Sequence, residues 1–363
     1  MRSDRSDFLI EKSNLRSTVW REVPTAALEP GQVRLRVDRF ALTANNITYA
    51  FFGDKFRYWD FFPAPEGYGR LPVWGFAEVE ESRADGVTVG ERVFGYLPIS
   101  TELVVSVGEL SQSGFSDASP WRQELSAVYN RYLRVTDDPA FSGASLEALQ
   151  AVFRLLFVTS FLIDGFLADN DFFGARSVLV SSASSKTSLA LGYLLKRNSG
   201  RDFEVVGLTS ASNIGFVSET GYYDRVVDYE DIGKIEIEPA VFVDMAGNGQ
   251  LQSTIHHHFG DALRYSCAVG RSHWEGPGRS SGLPGPRPAV FLAFDHVDMK
   301  ISKWGVDGYE RRLADAWDPF CNAVDGLLEI SYHTGREEIE TLYHSVLEGK
   351  LPTQLAAMAI MRR

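Results

Sequence analysis

Ser177-Val178-Leu179-Val180-Ser181-Ser182-Ala183-Ser184-Ser185-Lys186-Thr187-Ser188 decides how this chain is read. A short β-branched apolar run meets a knot of small hydroxylated residues. A helix-forming stretch follows, up to Lys196 and Arg197. Strand, tight turn and helix in that order make a phosphate site, because amide groups and the helix dipole at the turn attract an anion. Glycine is the usual residue there, since the backbone must approach a pyrophosphate closely. Here Ser182, Ser184 and Ser185 offer hydroxyls, and Lys186 beside Thr187 offers a full charge. The plainer alternative is a serine-rich turn that only caps a helix. Ser185-Lys186-Thr187 also imitates the end of a P-loop, but Val180 and Ser185 stand where its two glycines belong.

Outward from the turn, the pattern alternates strand and helix. Strands are expected at Ser177–Ser182, Phe203–Thr209, Arg225–Asp228, Ala240–Met245, Tyr265–Gly270 and Ala289–Phe294. Helices are expected at Lys186–Arg197, Ser212–Thr220 and Gly249–Phe259, with Gly221 and Gly260 as C-caps. Short apolar strands alternating with helices predict a parallel sheet covered on both faces. Before residue 140 the chain is strand-like. Gln32–Phe40 alternates Val33, Leu35 and Val37 against charged residues, and Trp74–Glu80, Arg92–Leu97 and Leu103–Val107 look similar. Their Gly, Pro and Asp punctuation predicts a small barrel-like β domain. Ser145 can cap a long helix, and Arg336–Lys350 reads as another. Tyr309–Leu328 is amphipathic, with Pro319 expected to kink or split it. Gly276–Pro288 reads as a loop, over a cleft or idle.

The end of the second strand of this α/β region selects between coenzymes. It reads Gly207-Leu208-Thr209-Ser210-Ala211-Ser212-Asn213, without the acid that holds an NAD ribose. Hydroxyls and an amide at Ser210 and Asn213 accept a 2′-phosphate that a carboxylate would repel, which favours NADP(H). A polar loop indifferent to both is the alternative.

The 363 residues leave room for two domains, and a formal net charge of −12 argues against nucleic acid as a main partner. The two cysteines, Cys267 and Cys321, form no CxxC pair, so no thiolate-built structural zinc is expected. Residues 1–17 are too charged for a signal peptide. Leu146–Leu167, broken by Arg154 and Asp164, reads as a core helix, not a membrane span. A cytoplasmic protein with no membrane partner is the expectation.

Several stretches resemble the medium-chain dehydrogenase/reductase superfamily, in its zinc-free quinone-reductase-like branch. Val89-Gly90-Glu91-Arg92-Val93-Phe94-Gly95 is close to that family's VGDRVFG stretch, and Gly31–Val37 resembles its opening strand. Ala175–Val180 stands at its first Rossmann strand, and Val226–Tyr229 resembles its third. Val243-Asp244-Met245-Ala246-Gly247 resembles its DxxG, and Ala268-Val269-Gly270 the exit of the fifth strand beside the nicotinamide. The Ser-Ser-Ala-Ser-Ser-Lys-Thr turn, with Trp304-Gly305 and the following Tyr309-Glu310-Arg311-Arg312-Leu313, looks like an uncharacterised subfamily. Where the family has AxxGxxG, this chain has Ala183-Ser184-Ser185-Lys186-Thr187-Ser188.

The resemblance implies an α/β protein: a GroES-like β-barrel catalytic domain (1–140 and 300–363) and a Rossmann doubly wound domain (141–299), with the active site in the cleft between them. It implies NADP(H) as cofactor, no metal, and hydride transfer to an activated C=C or C=O bond of a small molecule. Relatives are often dimers, so a homodimer is an open expectation. Thr159 resembles the threonine near the carboxamide, and Tyr229 the tyrosine that holds a 2′-phosphate. Thr43–Tyr49 follows the strand that enters the cleft in relatives. There Asn46 can orient a carbonyl and Tyr49 can supply a proton; a polar turn with Tyr49 as packing is the alternative. Phe51, Phe52, Phe56, Tyr58, Trp59, Phe61 and Phe62 can line an apolar pocket, or be core or a dimer contact. His273, just past the fifth strand, is a second candidate acid.

His256-His257-His258 is expected to be a solvated helix end, since consecutive helical positions diverge. No HExxH or GxSxG pattern occurs. Two other readings remain: a cofactor-free binding or scaffold protein on the same fold, and a non-redox lyase or isomerase.

Overall fold

The computed structural model describes residues 5–135, 146–197, 200, 202–269 and 282–361. The chain divides into two units: Met1–Val152 with Leu328–Arg363, and Phe153–Leu327.

The first unit opens with strands β1 (Ser6–Glu11), β2 (Asn14–Glu22) and β3 (Gln32–Ala41), then helix α1 (Ala44–Phe51). Next come β4 (Tyr68–Arg70), β5 (Pro72–Ser82), β6 (Arg92–Pro98), β7 (Glu102–Ser111), β8 (Gly114–Asp117) and β9 (Arg131–Arg134). The order β3-β5-β6-β9-β8-β7 closes on itself through a β3–β7 pairing, which makes a six-stranded barrel. Closure follows from the alternation read in the sequence: Val33, Leu35 and Val37 are buried, as are Val73, Ala77 and Val79 on the paired strand. β2, β1 and β4 form a separate small sheet. This is the GroES-like barrel expected, with β1 and β2 not foreseen.

The second unit carries helix α2 (Glu147–Asp169), which begins at the boundary, then β10 (Ser177–Val180), α3 (Lys186–Arg197), β11 (Glu204–Thr209) and α4 (Ile214–Glu219). It continues with β12 (Arg225–Asp228), β13 (Ala240–Asp244), α5 (Gly249–Phe259), β14 (Leu263–Ala268) and β15 (Ala289–Val290). Helices α6 (Ala293–Trp304) and α7 (Val306–Val324) complete it. The chain then returns to the first unit as β16 (Glu329–Thr334), α8 (Arg336–Leu347) and β17 (Leu355–Ile360), extending the barrel sheet beside β3.

The six strands of the second unit run in the order β12-β11-β10-β13-β14-β15, all parallel. That is the Rossmann order, with the first strand beside the fourth. The strands are apolar runs without alternation because both faces are covered: Val178, Leu179 and Val180 are all buried, as are Val241, Phe242 and Val243.

Three expectations shift. The return to the first unit falls at Leu328, not near residue 300, because α7 packs Trp317 and Phe320 against Phe157 of α2. The last strand is two residues long, since helix α6 starts at Ala293. Pro319 sits inside an unbroken α7, whose buried Trp317, Phe320, Cys321 and Val324 hold the helix around the missing amide. Helix α2 is long and apolar enough to cross a membrane, and it buries Phe153, Phe157, Leu162 and Ile163. Ser145, its expected cap, lies outside the described residues.

Candidate functional site

The serine turn joins β10 to α3. Ser182 adopts φ +49°, a left-handed conformation that ordinarily falls to glycine. The glycine geometry is therefore retained without the glycine. Ser185 caps α3: its Oγ accepts from the Ser188 amide at 3.2 Å and donates to Ser188 Oγ at 2.9 Å. Ser188 Oγ also donates to the Ser181 carbonyl at 2.9 Å, which closes the turn.

Ser181 ties the turn to the neighbouring strand. Its Oγ donates to Asp244 Oδ1 at 3.0 Å and accepts from the amides of Met245 (2.9 Å) and Ala246 (3.0 Å). The Gly247 amide donates to the same carboxylate oxygen at 3.0 Å. Ser181 and Asp244 stand at the carboxyl ends of β10 and β13, where the strand order reverses and ligands of open α/β sheets bind. Gly247, at φ +61°, turns the chain toward the Asn248 cap of α5.

The missing glycines reappear across the sheet. A Cβ at Gly207 on β11 would come within 2.9 Å of the Tyr223 ring, and one at Gly192 on α3 within 2.8 Å. Tyr223 thus fits only because both positions are bare. Its hydroxyl lies 3.1 Å from the Ala183 carbonyl and 2.7 Å from that of Ser188. Helix-to-strand closeness, one purpose of the glycine fingerprint, is met here by a tyrosine wedge between two distant glycines.

What faces a ligand is the start of α3. Among the described residues the amides of Ser184 and Thr187 have no partner. Lys186, the first helical residue, is half-buried, and desolvation lowers its amine to about 8. Two unpaired amides, a 12-residue helix dipole and an amine fit the phosphates of a dinucleotide. The Tyr229 hydroxyl accepts from the Ser182 amide at 3.0 Å, so this tyrosine braces the turn. Past β11, Ser210 and Asn213 form a polar mesh: Asn213 Nδ2 donates to Ser210 Oγ at 3.1 Å, beside Ser212. Thr159 bonds its own helix, at the Leu155 carbonyl (3.2 Å), while its neighbour Ser160 donates to the Thr187 carbonyl at 2.8 Å.

Of the sequence candidates, the structure gathers Ser182, Ser184, Ser185, Lys186, Thr187, Tyr229 and Gly247 around one turn. Gly270 and His273 lie outside the described residues. Asn46 and Tyr49 lie on α1 of the barrel unit. Asn46 is buried and committed: its Oδ1 accepts from the Thr43 amide at 2.8 Å, and its Nδ2 donates to the Pro72 carbonyl at 2.9 Å. Tyr49 is buried among Tyr58, Tyr96 and Tyr129, and burial with the nearby Tyr58 drives its hydroxyl pKa well above that of a free phenol. The histidine run corrects the expectation of a solvated end. His257 is exposed, but His256 is fully buried, its ring nitrogens 2.8 Å from the Pro284 carbonyl and 3.0 Å from Ser266 Oγ. Among the described residues no cluster of three or more His, Cys, Asp or Glu could hold a metal ion.

Sequence reasoning passed over Ser181, Ser188 and Tyr223 as participants. The only early signal was the unusual density of hydroxyls in the turn; Tyr223 gave none, because its partners lie at a distance in the chain.

A closed barrel followed by a 3-2-1-4-5-6 parallel sheet is the fold of the medium-chain dehydrogenases and reductases. The likeness runs the length of the chain. The structure of CurA in complex with NADPH from Vibrio vulnificus is similar at TM-score 0.63 and 14% identity, covering 99% of each chain. S. aureus TarJ in complex with NADPH is similar at 0.58 and 12%, again over 99% of each. CurK enoyl reductase follows at 0.53 and 14%, over 99% of this chain and 100% of that one. No curated protein matches the sequence. Residues 40–352 match the family described as "Protein of unknown function (DUF2855)", and the chain belongs to that family.

Proposed function

We propose that this protein is a zinc-independent, NADPH-dependent reductase of an activated C=C or C=O bond in a small molecule. The observation that carries the reading is the α3 start at the strand-order switch, with unpaired Ser184 and Thr187 amides beside the Lys186 amine. Two of the similar structures above are complexes with NADPH, although likeness at that identity speaks only for fold.

On this reading the Ser184 and Thr187 amides and Lys186 hold the diphosphate. Ser210 and Asn213 receive the 2′-phosphate, and Tyr229 keeps Ser182 in its left-handed conformation. The bound coenzyme would supply hydride. Tyr49 remains protonated across the neutral range and so presents a hydrogen-bond donor, and the source of a proton, to the substrate. Asn46 is a positioning residue that fixes α1 against the start of β5. The aromatic surroundings of Tyr49 suit an apolar or aromatic substrate, and a reducing cytoplasmic setting suits the two buried thiols.

Titration of the purified protein with NADPH and NADH tests this. NADPH should bind more tightly than NADH. Lys186→Ala should weaken NADPH about ten-fold, with the loss shrinking at high salt. Phosphate favours the charged amine, so affinity should fall as pH rises through 8, with proton uptake at that pH visible as a buffer-dependent heat. Absence of binding by either nucleotide to well-folded protein would favour a second reading, a cofactor-free binding protein. Its supporting observation is that Tyr229, Ser185 and Ser188 already satisfy much of the turn internally.

A further inference from the structure

The stretch from Trp304 to Leu313 takes no part in the serine turn, yet it borders a cavity of its own. Trp304, Gly305, Asp307, Gly308, Arg311 and Arg312 line a volume of about 480 Å³ at the elbow between α6 and α7. The chain turns there at Gly305, which ends α6 at φ +71° and opens α7. A Cβ at Gly308 would come within 3.2 Å of the Trp304 Cβ, so the bare position lets Trp304 pack against the start of α7. Along α7, Tyr309, Leu313 and Trp317 are buried, which turns Arg311 and Arg312 outward, where both are exposed.

The walls carry more positive charge than negative. The Arg312 guanidinium lies 4.7 Å over the Trp304 ring, and its Nη1 donates to the Gly308 carbonyl at 3.2 Å. The indole is a fixed pedestal: Lys300 Nζ stands 4.8 Å from the same ring, and the Phe161 ring lies 6.5 Å away. Lys300 is itself 5% exposed and tied to Asp169 at 2.6 Å and to the Gly165 carbonyl at 3.2 Å. Arg312 is thus held in place before any ligand arrives. Among the described residues neither Arg311 nor Arg312 has a carboxylate partner, whereas Lys300 and Lys303 share Asp169. Two unneutralised guanidiniums side by side, in a chain of net charge −12, match a dianion. Their planar forks fit the oxygens of a phosphate, and a carboxylate would balance only one of them. Asp307, the one acid on the wall, accepts hydrogen bonds from hydroxyl groups. The volume suits a small organic ligand rather than a bare ion.

We infer that the elbow between α6 and α7 binds a sugar phosphate, a hydroxylated small molecule ending in a phosphate monoester. Arg311 and Arg312 grip the phosphate, and Asp307 takes hydroxyl groups of the sugar. The site lies wholly within the second unit and shares no residue with the serine turn, so it stands whether or not that turn holds a dinucleotide.

Protein labelled with 5-fluorotryptophan tests this, read by fluorine NMR without nucleotide. The chain has seven tryptophans, and Trp304→Phe identifies the resonance of the ring under Arg312. Ribose 5-phosphate at millimolar concentration should shift that resonance saturably, whereas ribose should not. Inorganic phosphate should bind at least about five-fold more weakly, since it lacks the sugar hydroxyls that Asp307 accepts. Arg311→Gln should weaken ribose 5-phosphate about ten-fold, with the loss shrinking at high salt. Lys186→Ala, in the serine turn, should leave this titration unchanged. An unmoved Trp304 resonance, an equal response to ribose, inorganic phosphate bound as tightly as the ester, or a shift lost in Lys186→Ala overturns the site. If Arg311→Gln fails to fold, the three-probe comparison on the unsubstituted protein still decides.

Discussion

The two polar sites of this chain solve opposite problems. In the serine turn nearly every hydroxyl is spent within the fold: Ser181 on Asp244, Ser185 on Ser188, Tyr223 on two carbonyls. In the tyrosine cluster the buried hydroxyl of Tyr96 has no partner. The first site is built for shape, so that the Ser184 and Thr187 amides stay unpaired at a helix start. The second is built for ring packing and leaves that hydroxyl unmet. Satisfied groups stabilise the protein, whereas an unmet buried one costs stability.

That contrast predicts opposite signs on substitution. The largest effect belongs to Asp244→Ala, which strands Ser181 and the Gly247 amide; a loss of about 3 kcal/mol is expected in urea unfolding. A loss under about 1 kcal/mol would show the turn to be held by backbone alone. Next is Lys186→Met. The amine of Lys186 sits at about 8 in the folded protein against 10.5 as its ordinary value, so the unfolded chain binds the extra proton between those limits. The lysine's cost is therefore full below pH 8 and fades as pH rises toward 10.5. Lys186→Met should be more stable by roughly 1–3 kcal/mol at pH 7, with the gap closing through that window, measured as unfolding midpoints across pH. A pH-independent gap would break the assignment.

Tyr96→Phe should go the other way from Asp244→Ala, stabilising the protein by up to about 1 kcal/mol in urea unfolding. Destabilisation would mean that the hydroxyl is satisfied after all. The smallest effect is Ser182→Gly. Relief of a left-handed serine, about 1–2 kcal/mol, is offset by glycine's entropy, so the change should stay within about 1 kcal/mol. A large loss would give the Ser182 side chain a role of its own.

The α/β half was the more legible in sequence. Periodicity placed α3 and α5 to the residue, α5 with Gly260 as its cap, because these elements are local and their ends carry chemical signals. β1 and β2 escaped because they are charge-rich and lie in a small sheet of their own with β4. Pro319 misled because tertiary burial outweighs a local breaker. The turn was visible as a hydroxyl cluster, but the left-handed Ser182 was not. Nor was the pairing of Trp74 with Tyr96, which is a property of register across β5 and β6 and leaves no periodic trace.

The wedge of Tyr223 between Gly192 and Gly207 bears on how this coenzyme region can be altered. Restoring a glycine-rich turn would leave the tyrosine in place, and adding even a methyl group at position 207 would collide with it. Redesign of nucleotide preference has its ground instead at Ser210, Ser212 and Asn213, past the end of β11 and away from that wedge, where Ser210 Oγ meets both Ser212 and Asn213.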